Sequence, residues 1–424
     1  MPEHVLTGFG FGPIQAGLFA KEAYESGNFA RIVIAEIDQP LVDAVRANGG
    51  SYWINVAGRD GIETVRIDGV ELLNPNADAG RKSLIESLAN STEVTTCLPS
   101  VSFYDTGGRN SPAVLLSEGL GTSKAPATII YAAENHNHAA EILHEIAVRR
   151  SGVLFAKTVQ FLNTVIGKMS RVVTDSNEIE QLNLRTITPG FDRAFLVEQF
   201  NRILVSRTRI AGFSPGVGVF VEKDDLLPFE EAKLYGHNAI HATLAFIAAL
   251  KGYTKMTELV SDRAVMEVGR EAFIKESGGA LVKKYGDLGD ELFTEAGYRD
   301  YAEDLLERMT NPYLADTVAR AARDVVRKLG IDDRMFGTMR LALEYGIEPR
   351  NMAIGAIAGI TVLLKEADEH RLSPELRFDD WRRLDVKQIS EVLNWVWAGR
   401  RCADCDRLIR CVYQAVNDLA GLVG

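Results

Sequence analysis

The 424-residue sequence has no lysine- or arginine-rich block, no repeat of fixed period, no low-complexity linker and few cysteines. Each absence removes a class of function. Phosphate contact needs a concentrated positive surface, and with a formal net charge of -11 nucleic acid is not an expected partner. The longest apolar run, Met352 to Leu364, is broken by glycines and is shorter than the roughly 20 residues of a membrane helix. It reads as a core helix, and no membrane partner is expected. No signal-peptide pattern precedes the first strand-like run. Four cysteines in a chain of this length do not make a disulfide framework. Cys402-Ala403-Asp404-Cys405 and Cys411 lack a second CxxC or a nearby histidine to complete a zinc site, so they read as buried thiols in a terminal helix. No metal is expected, and the expected compartment is the cytoplasm.

What remains is an ordinary globular composition, 46% hydrophobic and 25% charged, long enough for two domains. His4 to Phe9 (HVLTGF) is a buried-strand pattern followed by Gly10, Gly12 and Gly17. Ala16 to Tyr24 reads as a helix and Ile32 to Ile37 (IVIAEI) as a second strand carrying Glu36 near its end. Strand, glycine turn, helix and acid-terminated strand make a dinucleotide-binding unit. Glycines admit a pyrophosphate to the backbone, a helix N-terminus favours its charge, and a carboxylate accepts from both ribose hydroxyls. Gln15 replaces the third glycine of the fingerprint, and Gly17 is the candidate for its role. A glycine-rich turn in another α/β protein is the alternative. Glu36 would repel a 2′-phosphate, which argues for NAD over NADP. The candidate cofactor contacts are Gly10, Phe11, Gly12, Ile14, Glu36, Leu98 and Asn135.

Ser51 to Asn74 reads as a small antiparallel insert with Asp68-Gly69 as its turn. Glu93 to Leu98 and Ala127 to Ala133 read as further buried strands of the sheet, and Phe195 to Val205 as one strand closing the first domain. After Ala133, Asn135 or Asn137 either caps the following helix or offers an amide to a substrate oxygen. His136 and His138 diverge at a helix start and have no carboxylate or cysteine cluster to join.

From Pro228 onwards, amphipathic helices replace strands. In Glu230–Leu250, Lys233, Asn238 and His241 enter an apolar run together, which costs free energy unless each polar group is satisfied. Asn238 and His241 are three apart, and Lys233 and His241 lie roughly 12 Å apart along an ideal axis. A snorkelling lysine, an exposed amide and a buried histidine would explain the same residues. In Asp316–Leu329, read as one helix, Arg320, Arg323 and Arg327 would share a face and form a clamp for a carboxylate, phosphate or polyol oxygens. A charged, solvated face is the alternative.

At Lys233-x4-Asn238-x2-His241 the chain resembles the polyol-specific long-chain dehydrogenases. The resemblance runs from about Gly10 to about Gly359. It includes Glu134-Asn135, ESGGALVKKYG from Glu276, NPYLADTVARAARDVVRKLG from Asn311 and LEYGIEPRN from Leu343. It implies Lys233 as general base, Asn135 and Asn238 as oxyanion-stabilising amides, and His241 as the substrate-orienting imidazole. Arg320 and Lys328 would bind substrate, and Glu230 would relay the proton. Where the family commonly ends a motif in Asp-Arg-Ile, this chain has Gly167-Lys168-Met169, so an acid is absent.

The expected fold is α/β plus all-α. A Rossmann-type domain over 1–210 carries the antiparallel insert, and a mainly helical substrate-binding and catalytic domain covers 211–424. The expected activity is NAD-dependent, metal-independent hydride transfer between a polyol or polyol phosphate, such as mannitol 1-phosphate, and its ketose. A sugar-acid oxidoreductase and a non-catalytic NAD-binding sensor are the alternatives. The expected partner is a small polyol, polyol phosphate or sugar acid, and the expected assembly a monomer or small homo-oligomer.

Overall fold

The computed structural model describes residues 4–152, 154–378 and 380–424. Two compact units divide at Leu227/Pro228. Among the described residues the first unit contains twelve strands: β1 (His4–Phe9), β2 (Phe29–Ala35), β3 (Tyr52–Ala57), β4 (Ile62–Ile67), β5 (Val70–Leu73), β6 (Glu93–Thr96), β7 (Thr128–Ala132), β8 (Val159–Ile166), β9 (Ser170–Val173), β10 (Ala194–Glu198), β11 (Ile203–Ser206) and β12 (Phe220–Lys223).

Eight of them form one sheet in the order β12-β11-β8-β7-β6-β1-β2-β5. From β5 to β8 every pairing is parallel. This six-strand run has the doubly wound dinucleotide-fold order, with its reversal between β1 and β6. Burial explains the composition. β6 and β7 are buried at every position and read as continuous runs, as strands covered on both faces must.

The sequence-based reading of this unit needs three revisions. Within Ser51–Asn74 the antiparallel hairpin is β3–β4, in a second sheet ordered β4-β3-β10-β9. Asp68-Gly69 is not its turn. Gly69, at φ 73°, sends the chain back to β5, which pairs with β2 in the main sheet. Phe195 to Val205 is two strands in different sheets. β10 pairs with β3 and β9, whereas β11 pairs with β8 and β12. The polar residues Gln199, Asn201 and Arg202 fall where the chain changes sheets. Because β12 pairs with β11, the residues after 210 up to Leu227 belong to the first unit.

In the second unit, helix Ala239–Leu250 packs on helix Arg350–Lys365. Close approach depends on Gly359, where a Cβ would lie 3.0 Å from the Phe246 ring. Asp316–Leu329 is not one helix. It is Val318–Ala322 followed by Val325–Lys328, broken where Arg323 is extended (ψ 163°) and Asp324 is left-handed (φ 61°). Asp tolerates that region better than most residues. The common face expected for Arg320, Arg323 and Arg327 therefore does not form. Cys402 and Cys405, expected as thiols, are joined in a disulfide, their CxxC spacing placing the Cα atoms 5.2 Å apart; Cys97 and Cys411 are free. No helix among the described residues is long and apolar enough to cross a membrane.

Candidate functional site

The end of the first unit expected to take a nucleotide is built at the carboxyl ends of β1, β2 and β6. Gly10 follows β1 at φ +81°, and a Cβ there would lie 2.9 Å from the Cys97 carbonyl oxygen. No other residue fits both conditions. The helix that follows opens with the carbonyl of Gly12 accepting from Ala16 N–H at 2.9 Å, and Ile14 packs into the core beside Leu18 and Phe19. Gln15, in place of the third glycine, is fully buried; its Oε1 accepts from Thr95 Oγ1 at 2.9 Å. Gly17 supplies the close packing expected of it, since a Cβ there would clash with Val197 of β10.

Glu36 closes this end. Its carboxylate accepts from the backbone N–H groups of Phe11 (2.8 Å), Ile37 (2.7 Å) and Asp38 (2.8 Å). The acid thus ties the glycine turn to the end of β2. A carboxylate has about four acceptor positions, so with three taken about one is left for a ribose hydroxyl.

Glu134 performs a second latch that the sequence did not disclose. It is 4% exposed and accepts from Thr96 Oγ1 (2.8 Å), Leu98 N–H (2.8 Å) and the Tyr104 hydroxyl, joining the ends of β6 and β7. Burial raises its carboxyl above the ordinary range, while those hydrogen bonds oppose the rise. Asn135 is exposed on the next residue. Neither Asn135 nor Asn137 caps the helix Ala139–Ser151. Asn163 of β8 does so, accepting from Ala140 N–H at 2.8 Å and donating to Glu141. Beyond β8, Lys168 is buried and donates to the Phe200 carbonyl (2.9 Å) and Asn201 Oδ1 (2.6 Å).

In the second unit, Lys233, His237 and Asn238 lie on a π-helical segment, Ala232–Asn238, and His241 in the first turn of the α-helix that continues it. Five residues of α-helix rotate a side chain by about 140° from its starting direction. The i→i+5 pairing of a π segment brings Lys233 and Asn238 closer to one side, and such segments recur at functional sites. Lys233 is partly buried, and burial, followed by the nearby Arg334 cation, lowers its ammonium to about 8, against the opposing pull of Glu230. His237 is buried, and that burial, with His241, Arg308, Lys233 and Arg334 around it, pushes its imidazole well below the usual range.

His241 Nε2 lies 3.2 Å from Asp316 Oδ2. Asp316 is 4% exposed and accepts a two-pronged contact from Arg320, Nε at 2.6 Å and Nη2 at 2.7 Å. Burial pushes its carboxyl up, yet His241 and Arg320 outweigh this and hold it well below the usual range. Lys328 is turned inward. Its ammonium donates to the Ala321 carbonyl, lies 5.8 Å from the Phe246 ring centre, and is lowered to about 7 by burial and the Arg334 and Arg327 cations. Arg334 is buried and donates to Asp333 Oδ1 at 2.8 Å. His237 was not singled out from sequence, and Asp316 and Arg334 were given no site role there. Asp316 carried one readable signal, its position four residues before Arg320.

The second unit thus holds a lysine able to lose its proton near neutrality, on the same helical stretch as an amide and an imidazole, with the buried Arg334 cation close enough to lower that lysine. Such a set suits removal of a proton from a hydroxyl group.

Residues 225–395 match the family described as mannitol dehydrogenase C-terminal domain. The chain is 28% identical over 356 residues to mannitol-1-phosphate 5-dehydrogenase of Buchnera aphidicola subsp. Acyrthosiphon pisum (strain Tuc7), covering 82% of this chain and 84% of that protein. Among solved structures, D-sorbitol dehydrogenase in substrate-free form superposes with a TM-score of 0.76 at 14% identity, over 99% of this chain and 94% of that one. The ternary complex of Pseudomonas fluorescens mannitol 2-dehydrogenase with NAD and D-mannitol gives 0.69 at 17% identity, with the same coverage. At these identities the structural likeness is one of fold.

Proposed function

We propose that the chain, whose residues 225–395 match the mannitol dehydrogenase C-terminal domain family, is an NAD-dependent polyol dehydrogenase interconverting a polyol or polyol phosphate and the corresponding ketose. The observation that carries the reading is Lys233. A lysine lowered to about 8, on a π-helical turn with Asn238 and about two turns before His241, has the protonation behaviour a general base needs at working pH.

The first unit fits a dinucleotide. Gly10 admits phosphate to the backbone, Gly12 opens the helix, and Glu36 is at the position that accepts from ribose hydroxyls and repels a 2′-phosphate. The half-buried Ile14 and Leu98 would line the nucleotide, whereas the Phe11 ring is buried in the core against Tyr52 and Phe195. The mannitol 2-dehydrogenase complex contains NAD, which agrees with this choice. When bound, NAD supplies the acceptor for the hydride.

In this reading Lys233 takes the hydroxyl proton and Glu230 passes it to solvent. Asn135 and Asn238 donate to the developing alkoxide, and His241 orients the substrate. The lysine and the two amides do the work a Lewis-acid metal does elsewhere, so turnover is expected to survive a chelator. Lys328 and Arg334, close enough for the second to depress the first, put two buried basic side chains near one another, which favours a phosphate-bearing polyol such as mannitol 1-phosphate. The same charge suits the carboxylate of a sugar acid.

The test is NADH formation from NAD with mannitol, mannitol 1-phosphate and an aldonate. NADH from mannitol 1-phosphate well above mannitol supports the phosphate reading, and aldonate alone as substrate favours the sugar-acid reading. Measurable NAD binding with no NADH from any of them would sink the enzyme assignment.

A further inference from the structure

We infer that Asp316 is a positioning residue that keeps the proton of His241 on Nε2, so that Nδ1 faces the ligand as a hydrogen-bond acceptor for a substrate hydroxyl. The inference rests on the polyol reading for the identity of that ligand, and on geometry for the rest.

The carboxylate of Asp316 is buried, and an uncompensated buried charge is strongly disfavoured. Arg320 compensates it through one nitrogen on each oxygen. His241 Nε2 is also buried and makes no well-aligned hydrogen bond, although Asp316 Oδ2 is 3.2 Å away. A bare Nε2 lone pair would oppose that oxygen's own lone pairs. A proton on Nε2 turns the contact into attraction. A neutral imidazole carries one N–H, so Nδ1 is then the acceptor. The other charged or titratable neighbours fit. His237, whose ring lies 6.3 Å from that of His241, is held neutral by burial, and Arg320 is committed to Asp316. Asp316 cannot easily swing away, because its carbonyl accepts from Met256 N–H at 2.9 Å and Val318 N–H binds the Thr254 carbonyl at 2.9 Å.

Two consequences separate this from a simple substrate clamp. Arg320 acts through Asp316 in place of gripping substrate itself. An acceptor at Nδ1 pairs with an O–H and not with a phosphate or carboxylate oxygen, so His241 reads the hydroxyl chain and leaves any anionic end to other residues.

The experiment is nitrogen-15 NMR of the histidine side chains in the full-length protein without substrate, recorded in mildly alkaline buffer, with His241→Gln to assign the resonance. The wild-type protein is expected to show the Nε2–H tautomer, Asp316→Asn a mixture of tautomers, and Asp316→Glu substantial recovery. In steady-state assays Asp316→Asn should raise KM for the polyol about tenfold with a smaller change in kcat. An Nδ1–H tautomer in the wild-type protein would overturn the inference, and so would an Asp316→Asn protein with unchanged tautomer and KM. Should that variant fail to fold, the wild-type spectrum alone decides the tautomer. The spectrum needs no turnover, so failure of the polyol reading appears separately, as a wild-type protein that reduces no NAD.

Discussion

Single side chains in this protein are tuned mostly by burial and by one or two charges. Lys233 is the clearest case: oxidation needs it unprotonated, so the rate should rise with pH through about 8 and then level off, and the reverse reaction should fall over the same range. Lys233→Ala should remove turnover and leave NAD affinity within about twofold, measured by fluorescence titration. Arg334→Met removes one of the two causes of the lowered value, so the midpoint of the pH–rate profile should move up by about one pH unit. An unchanged midpoint would show that burial alone sets the lysine. Glu36→Ala should weaken NAD more than NADP, and should loosen the glycine turn by removing the acceptor of Phe11 N–H. For Asp316 the linkage runs in the acid direction. Its folded-state value is depressed, so its contribution to stability is present above the unfolded-state range near ~4 and is lost as pH falls below it. Denaturation midpoints of wild type and Asp316→Asn should therefore converge as the pH is lowered below that range.

Elements carry information that single residues do not. The π-helical turn Ala232–Asn238 sets Lys233 and Asn238 closer together than α geometry would. Deleting Leu234 should let the helix close into α register. Circular dichroism should then show retained helicity, whereas NADH formation should be lost, and a variant with wild-type turnover would remove the turn from any functional role. Helix packing predicts a different phenotype. Gly359→Val forces a side chain into the Phe246 ring and should cost about 1–3 kcal/mol in urea titrations. These elements also mark how far the sequence could be read. The glycine turn, Glu36 and the buried runs of β6 and β7 were legible because each depends on local chemistry. The break at Arg323–Asp324 was not, since Arg323 suits a helix and the left-handed Asp324 has no glycine to announce it. β12 was equally hidden: its four residues are all half-buried, and its pairing is with a strand more than a dozen residues away. The Glu134 latch needed strand ends to be placed in space before its three donors became visible.

At the scale of the whole molecule, the two compact units divide the candidate residues between them. Those assigned to the cofactor lie in residues 1–227, and apart from Asn135 those assigned to proton transfer and substrate lie in residues 228–424. The first unit contains the complete eight-stranded sheet. Residues 1–227 expressed alone should fold and bind NAD with an affinity within about tenfold of the full chain, by calorimetry, without catalysing its reduction.

Both sheets of that unit end in open edges, and the edges share a pattern. The edge strands β5 and β12 are four residues each, with Glu71 on one and Glu222 and Lys223 on the other. In the smaller sheet, the edge strands β4 and β9 carry Glu63 and Arg66, and Arg171. Short, charged margins are poor templates for a strand from another molecule. A chain rich in exposed-edge sheet is thereby kept from adding copies of itself end on end, and replacing Glu71, Glu222 and Lys223 together by valine is expected to turn a clear concentrated solution into one that scatters light.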